Sequence, residues 1–114
     1  MPNITDNVEF SFICREIRCK WADVNGDKTS LTKCQEILNT ALPGLKGEGD
    51  VKNEVQRIVC GGCLDFKIIT KVNAEVWGAF EASGFGGEAA ILEALGATDN
   101  VSSVETQTYT IATM

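Results

Sequence analysis

Histidine is absent from this chain of 114 residues, and tyrosine and proline are scarce, with one and two copies. Without imidazole there is no His-based acid–base catalysis, no His-ligated haem and no metal site that depends on a ring nitrogen. Positive charge is also short. The chain has 10 Lys and Arg against 16 Asp and Glu, for a net charge of −6. No basic segment is long enough to grip a phosphate backbone, so no nucleic-acid partner is expected. No run approaches the ~18 apolar residues that span a bilayer, so no membrane partner is expected either. The opening MPNITDNVEF lacks a basic region and an apolar core, which argues against a secretory signal. The five cysteines are therefore expected as free thiols in the cytoplasm, free of metal. Nothing in the pattern calls for a cofactor.

What is present suits one soluble domain over residues 1–114, with residues 1–7 as a loose tail. Hydrophobic residues make up 44% and charged residues 23%, enough for a core without disulfides. The organising stretch is Val51 to Val72, read as a β-hairpin with Gly61-Gly62 as a two-residue turn. Its second arm alternates, with Leu64, Phe66, Ile68, Thr70 and Val72 on one face. A two-residue turn sets Val59 opposite Leu64, Arg57 opposite Phe66 and Val55 opposite Ile68.

Before it, Val8 to Trp21 reads as one long strand. Its apolar residues sit on even positions up to Cys14 and on odd positions from Ile17. That switch predicts a bulge near Cys14–Glu16, or else a strand buried on both faces. Thr29 or Ser30 is expected to cap a first helix that Pro43-Gly44 ends near Leu42, with GLKGEGD as a connector. Asn73 is expected to cap a second helix, which Gly84, Gly86 and Gly87 break into two pieces. A last strand runs from Val101 to Ile111. The predicted class is α+β with the order βαββαβ. This gives a four-stranded antiparallel sheet with two helices on one face and Ile58 and Ile69 on the bare face. A bare, partly apolar sheet face calls for a second copy, so a homodimer, sheet to sheet, is expected.

At this point the chain resembles the dimeric α+β barrel superfamily, whose members are ferredoxin-like and pair sheet against sheet. It is similar to the ligand-sensing domain of leucine-responsive regulators. Gly62-Cys63-Leu64-Asp65-Phe66 matches their Gly-x-x-Asp-(Phe/Leu) run, and Val101 to Thr108 matches the start of their Thr-rich last strand. It also resembles small stand-alone barrels of unassigned function from marine microbes. The resemblance implies a ferredoxin-like dimer. It implies little about chemistry, because the fold hosts monooxygenases, isomerases and sensors.

Three functional readings follow. In the first, the chain binds a small apolar or amphiphilic molecule between sheet and helices. Phe10, Phe12, Phe66, Ile68, Trp77 and Phe80 wall that cleft, and Arg57 and Asp65 are its polar groups. Gly78, Gly84, Gly86 and Gly87 withhold volume from the wall and loosen its lid. Arg57 holds a ligand anion or pairs with Glu75 or Glu81. In the second, the chain is a cofactor-free monooxygenase- or isomerase-like enzyme whose acid–base groups come from Asp65, Glu16, Tyr109 or a cysteine. In the third, Cys14, Cys19, Cys60 and Cys63 form a zinc or redox site. Against the third stand the hairpin position of Cys60-Gly-Gly-Cys63 and the simpler role of thiols as small core fillers.

Overall fold

The computed structural model describes residues 2–47 and 52–114. Residues 48–50 of the expected connector, and Val51 at the start of the expected hairpin, lie outside the described residues. The strands are β1 (Asn3–Thr5), β2 (Val8–Glu9), β3 (Phe12–Lys20), β4 (Glu54–Cys60), β5 (Asp65–Asn73) and β6 (Ser102–Ile111). The helices are α1 (Thr29–Lys46), α2 (Trp77–Ala82) and α3 (Glu88–Gly96). A 3-10 turn, Ala74–Val76, leads into α2, and Asn73 caps it by accepting the N–H of Glu75.

The main sheet has the order β4-β5-β3-β6, with every neighbour antiparallel. Helix α1 lies against β4 and β5, and α3 lies against β6 and α1. The core fills this interface. Ile17, Cys19, Phe66 and Ile68 come from the sheet, Cys34, Leu38 and Leu45 from α1, and Ile91 and Leu95 from α3.

The α+β class stands, but the ferredoxin-like βαββαβ architecture and the dimeric α+β barrel built on it are overturned. Among the described residues there are six strands in two sheets, of two and four strands, and three helices. Two local causes account for the difference. The expected long first strand breaks at Phe10-Ser11, and the expected tail folds back on Asp6-Asn7, a pair suited to turns, so that β1 pairs with β2. The N–H of Phe10 donates to the carbonyl of Pro2 at 3.0 Å and closes this small hairpin. The second cause is the glycine joint. Gly84, Phe85, Gly86 and Gly87 all have positive φ, and the second crossover becomes α2 and α3, as its glycine pattern predicted.

Other boundaries moved for traceable reasons. No bulge interrupts the pairing of β3 with β5. The phase switch marks a strand buried on both faces, with Cys14 and Glu16 on one side and Ile17 and Cys19 on the other. The β4–β5 turn spans Gly61 to Leu64 rather than two residues, so Val59 pairs with Phe66, Arg57 with Ile68 and Val55 with Thr70. This register differs by two from the expected one. Because strand faces repeat every second residue, each side chain keeps its expected face. Helix α1 runs through Pro43 to Lys46. A proline near a helix end removes few hydrogen bonds, and Leu45, only 2% exposed, holds this last turn to the core. Neither Thr29 nor Ser30 is the cap. Asp27 accepts from the Thr29 N–H, while the Ser30 hydroxyl bonds both the N–H and the carbonyl of Ala22.

The end of α1 and the glycine joint touch backbone to backbone. A Cβ on Gly44 would stand 2.6 Å from the carbonyl oxygen of Gly86, and a Cβ on Gly86 would stand 2.8 Å from that of Gly44. Gly86 also has φ +68°, a left-handed conformation that side chains disfavour. Gly78, in α2, meets nothing within 4 Å and is no part of a cleft wall. We expect Gly86→Ala to lower stability by on the order of 2 kcal/mol, through a clash and a strained φ. Gly78→Ala should be neutral or gain up to ~1 kcal/mol from helix propensity. Urea unfolding midpoints measure both, and equal effects of the two substitutions would contradict the close contact.

Candidate functional site

The expected aromatic cleft is not assembled. Phe12 has the parity of Cys14 and Glu16 and lies on the sheet face away from the helices, where the Lys71 ammonium sits 4.3 Å from its ring centre. Phe10 and Phe12 line a cleft beside β2 and the C-terminal residues, at the far end of β3. Phe66 and Ile68 are packed into the core at 1% exposure each, and of the expected wall only Phe66 borders a cavity against a helix, an open pocket of about 410 Å³ shared with Arg57, Val59 and the α1 residues Leu31 and Gln35. Trp77 and Phe80 stack instead with Phe85 of the joint, with ring centres 5.6 to 6.0 Å apart. Arg57 does face the helix side, but it is exposed and donates to Gln35 of α1 at 2.8 Å rather than to Glu75 or Glu81. Asp65 is at the hairpin end of β5, paired with Lys20 at 2.6 Å, on the opposite face from Arg57. That pairing holds its carboxyl below the usual range.

A different concavity is built by small residues. Along α1, Ile37, Ala41 and Gly44 follow one another at helical spacing. Facing them are Gly86 of the joint and Ala90 and Ala94 of α3. Together they leave an open groove of about 500 Å³. Its floor includes the buried Ile91, and its polar groups are Glu36 and Thr40 at the α1 rim. The Gly44–Gly86 contact brings the two walls together at one end. This volume lies within the range of small-molecule sites.

The joint beside the groove is tied down by Arg15, a residue the sequence reading passed over. Arg15 projects from the helix face of β3. Its Nε and Nη2 donate to the two carboxylate oxygens of Glu88 at 3.0 and 3.2 Å, and Nη1 donates to the Thr108 hydroxyl at 2.8 Å. The guanidinium also lies 4.2 Å from the centre of the Phe85 ring. Glu88 sits in the first turn of α3, where the helix dipole favours a negative charge.

On the uncovered sheet face, β3 and β6 assemble a polar cluster. Register pairs Cys14 with Tyr109 and Glu16 with Gln107. Glu16 is only 3% exposed, and its carboxylate accepts from Gln107 Nε2 and from the Tyr109 hydroxyl at 3.3 Å. Burial, followed by the Glu16 charge, pushes the Tyr109 hydroxyl up to about 12. Burial likewise raises the Cys14 thiol. Glu16 and Tyr109, named in the sequence as separate acid–base candidates, are thus brought together, while Asp65 is not.

The four cysteines of the third reading separate. Cys60 and Cys63 are joined in a disulfide across the hairpin turn, which corrects the expectation of five reduced thiols. Cys19 turns into the core, with its sulfur 3.8 Å from that of Cys34. Their shared hydrogen bond, with burial, raises the Cys19 thiol, and the same bond lowers that of Cys34 against the effect of burial. Cys14 is on the opposite face. No group of three or more Cys, Asp or Glu among the described residues is placed to hold a metal.

No described helix is long and apolar enough to cross a membrane. Comparison with family models, curated proteins and solved structures finds no match to this chain.

The cluster around Glu16 makes a spectroscopic prediction. Tyr109 is the chain's one tyrosine, so ultraviolet titration of tyrosinate reads it alone. The midpoint should fall near 12 rather than at the ordinary ~10. Glu16→Gln should lower it by removing the neighbouring charge. The folded value lies above the unfolded one, so stability should fall as pH rises from ~10 to about 12. A wild-type midpoint at the ordinary value would mean that Tyr109 is solvated and the cluster open.

Proposed function

We propose that this protein binds a small apolar or amphiphilic molecule in the groove between α1 and α3. The observation that supports the reading is the groove itself, about 500 Å³ between two helices whose facing residues are mostly glycine and alanine. An apolar chain or ring lying there covers Ile37, Ala41 and Ile91, and a polar end of the molecule reaches Glu36 and Thr40 at the rim. The helix–sheet cleft of the sequence reading has no part in this, because its intended walls are core or lie on other surfaces.

Ala90 is an exposed wall residue, so filling it leaves the core untouched. Ala90→Leu, and separately Ala41→Leu on the facing wall, should abolish binding of a hydrophobic fluorescent probe. Because Ala and Leu are both strong helix formers, melting temperature should stay near wild type. Probe binding unchanged in both variants would overturn the groove as the site.

Self-association through the uncovered sheet face belongs to the same reading. Ile58 is 43% and Ile111 43% exposed there. Three ion pairs on this face, Arg18–Glu105, Lys20–Asp65 and Lys71–Glu54, are made within the chain, which lowers the number of unpaired ions a second copy covers. Light scattering at micromolar concentration should give the dimer mass, and a monomer mass would refute it. The second reading, a cofactor-free acid–base enzyme, is favoured by the buried Glu16 bonded to the Tyr109 hydroxyl. Those two residues line neither the α1–α3 groove nor the cleft beside β2.

A further inference from the structure

The tip of the β4–β5 hairpin carries chemistry that the groove does not use. Cys60 and Cys63 are bonded across the turn, with Cα atoms 5.5 Å apart. The two sulfurs differ in surroundings. Cys63 is exposed, and Asp65 Oδ2 lies 3.4 Å from its sulfur. Cys60 is half-buried, and its sulfur accepts the backbone N–H of Cys63 at 3.1 Å. A hydrogen bond to sulfur favours a thiolate, and a neighbouring carboxylate disfavours one.

We propose that Cys60–Cys63 is a thiol–disulfide exchange site for small-molecule thiols, attacked at Cys63 and releasing Cys60 as the thiolate. In the first step the thiolate of the small molecule bonds to Cys63 Sγ as the Cys60–Cys63 bond breaks. The electron pair leaves on Cys60 Sγ, where the Cys63 N–H receives it. The product is a mixed disulfide on Cys63. A second molecule of the thiol then attacks the small-molecule sulfur and expels Cys63, whose proton comes from solvent and points to Asp65. Two thiols are oxidised to one small-molecule disulfide, and the protein disulfide is reduced to two thiols. The leaving thiolate, held by a hydrogen bond, is the better leaving group, which fixes the direction of attack. Lys20, paired with Asp65 at 2.6 Å, offsets the carboxylate's repulsion of an incoming anion.

The turn keeps its shape without the bridge. The N–H of Trp21 donates to the Leu64 carbonyl at 3.0 Å, and Trp21 Nε1 donates to the Asp65 carbonyl at 3.2 Å. Lys20 Nζ donates to the Cys63 carbonyl at 2.8 Å. These bonds come from the end of β3 and are independent of the sulfurs, so the reduced cysteines stay within reach and the bridge can re-form. The remaining thiols, Cys14, Cys19 and Cys34, are buried and take no part.

The test uses the full chain in native buffer with glutathione as the thiol, quenched with a maleimide and mapped by peptide mass spectrometry. Under partial reduction, maleimide is expected on Cys60 and glutathione on Cys63 of the same molecules. Full reduction should add two labelled thiols per chain while tryptophan fluorescence stays native, and oxidised glutathione should restore the bridge. Glutathione found on Cys60, or no new thiols until denaturant is added, would overturn the proposal.

Discussion

The ion pair between Arg15 and Glu88 holds the helical layer to the sheet at its weakest point. The second crossover has a joint of four consecutive positive-φ residues, held by turn-type hydrogen bonds such as Phe85 N–H to the Phe80 carbonyl rather than by a continuous helical ladder. Ile91 and Leu95 bury the middle and end of α3, but its first turn depends on Arg15. The guanidinium satisfies both oxygens of Glu88, reaches Thr108 on β6 and lies against the Phe85 ring. One side chain thus joins β3, β6, the joint and α3. With side-chain exposures of 19% and 7%, the pair is partly shielded from water. Loss of either partner leaves a charge in a poor dielectric, which is more costly than loss of a surface pair.

The position of α3 in turn sets the groove. Arg15 fixes the start of the helix, and the Gly44–Gly86 contact fixes how closely the joint approaches α1. Only glycine permits that approach, and the alanines at 41, 90 and 94 then keep the space between the helices open rather than filled. The groove is therefore a consequence of a close backbone contact at one end and short side chains along the rest.

Strand parity was the most legible part of the sequence. The alternation of β5 placed Phe66, Ile68 and Val72 on the core face, and a turn two residues longer than expected shifted register without disturbing that face. Asn73 as a cap and the break at Gly84–Gly87 were also readable, because each rests on local chemistry. The N-terminal hairpin and the run of α1 through Pro43 were not, because both depend on tertiary contacts that a local rule misses. The site was less legible still. Strand alternation and helix spacing place six aromatic and aliphatic residues in one layer, and Phe12 leaves it because its parity is that of Cys14 and Glu16. The phase switch at Cys14–Ile17 held the needed information. It signals a strand whose two faces are both buried, so that Phe12 and Ile17 belong to different surfaces. The groove had a signal as well, in the four-residue spacing of Gly86, Ala90 and Ala94 opposite Ile37 and Ala41. Read as loss of side-chain volume along one helix face, that spacing points to the space between helices rather than the space beneath them.

β3 is the element through which these features meet, and its alternation keeps them apart. Arg15 and Glu16 are adjacent in sequence, both ionisable and both largely buried, yet the pleat sends them to opposite sides of the sheet. Arg15 finds a carboxylate and serves the groove. Glu16 finds a tyrosine hydroxyl and an amide, makes no ion pair among the described residues, and serves the open face. A buried carboxylate satisfied only by neutral donors is a costlier choice than a hydrophobic residue at the same place. The cluster of Glu16, Gln107 and Tyr109 therefore asks for a reason beyond stability. The α1–α3 groove cannot supply it, because the sheet stands between them. A ligand in the groove and a proton donor or acceptor on the open face would act independently. Any chemistry at Glu16 would have to meet its substrate, or a second copy of this chain, across the uncovered face of the sheet.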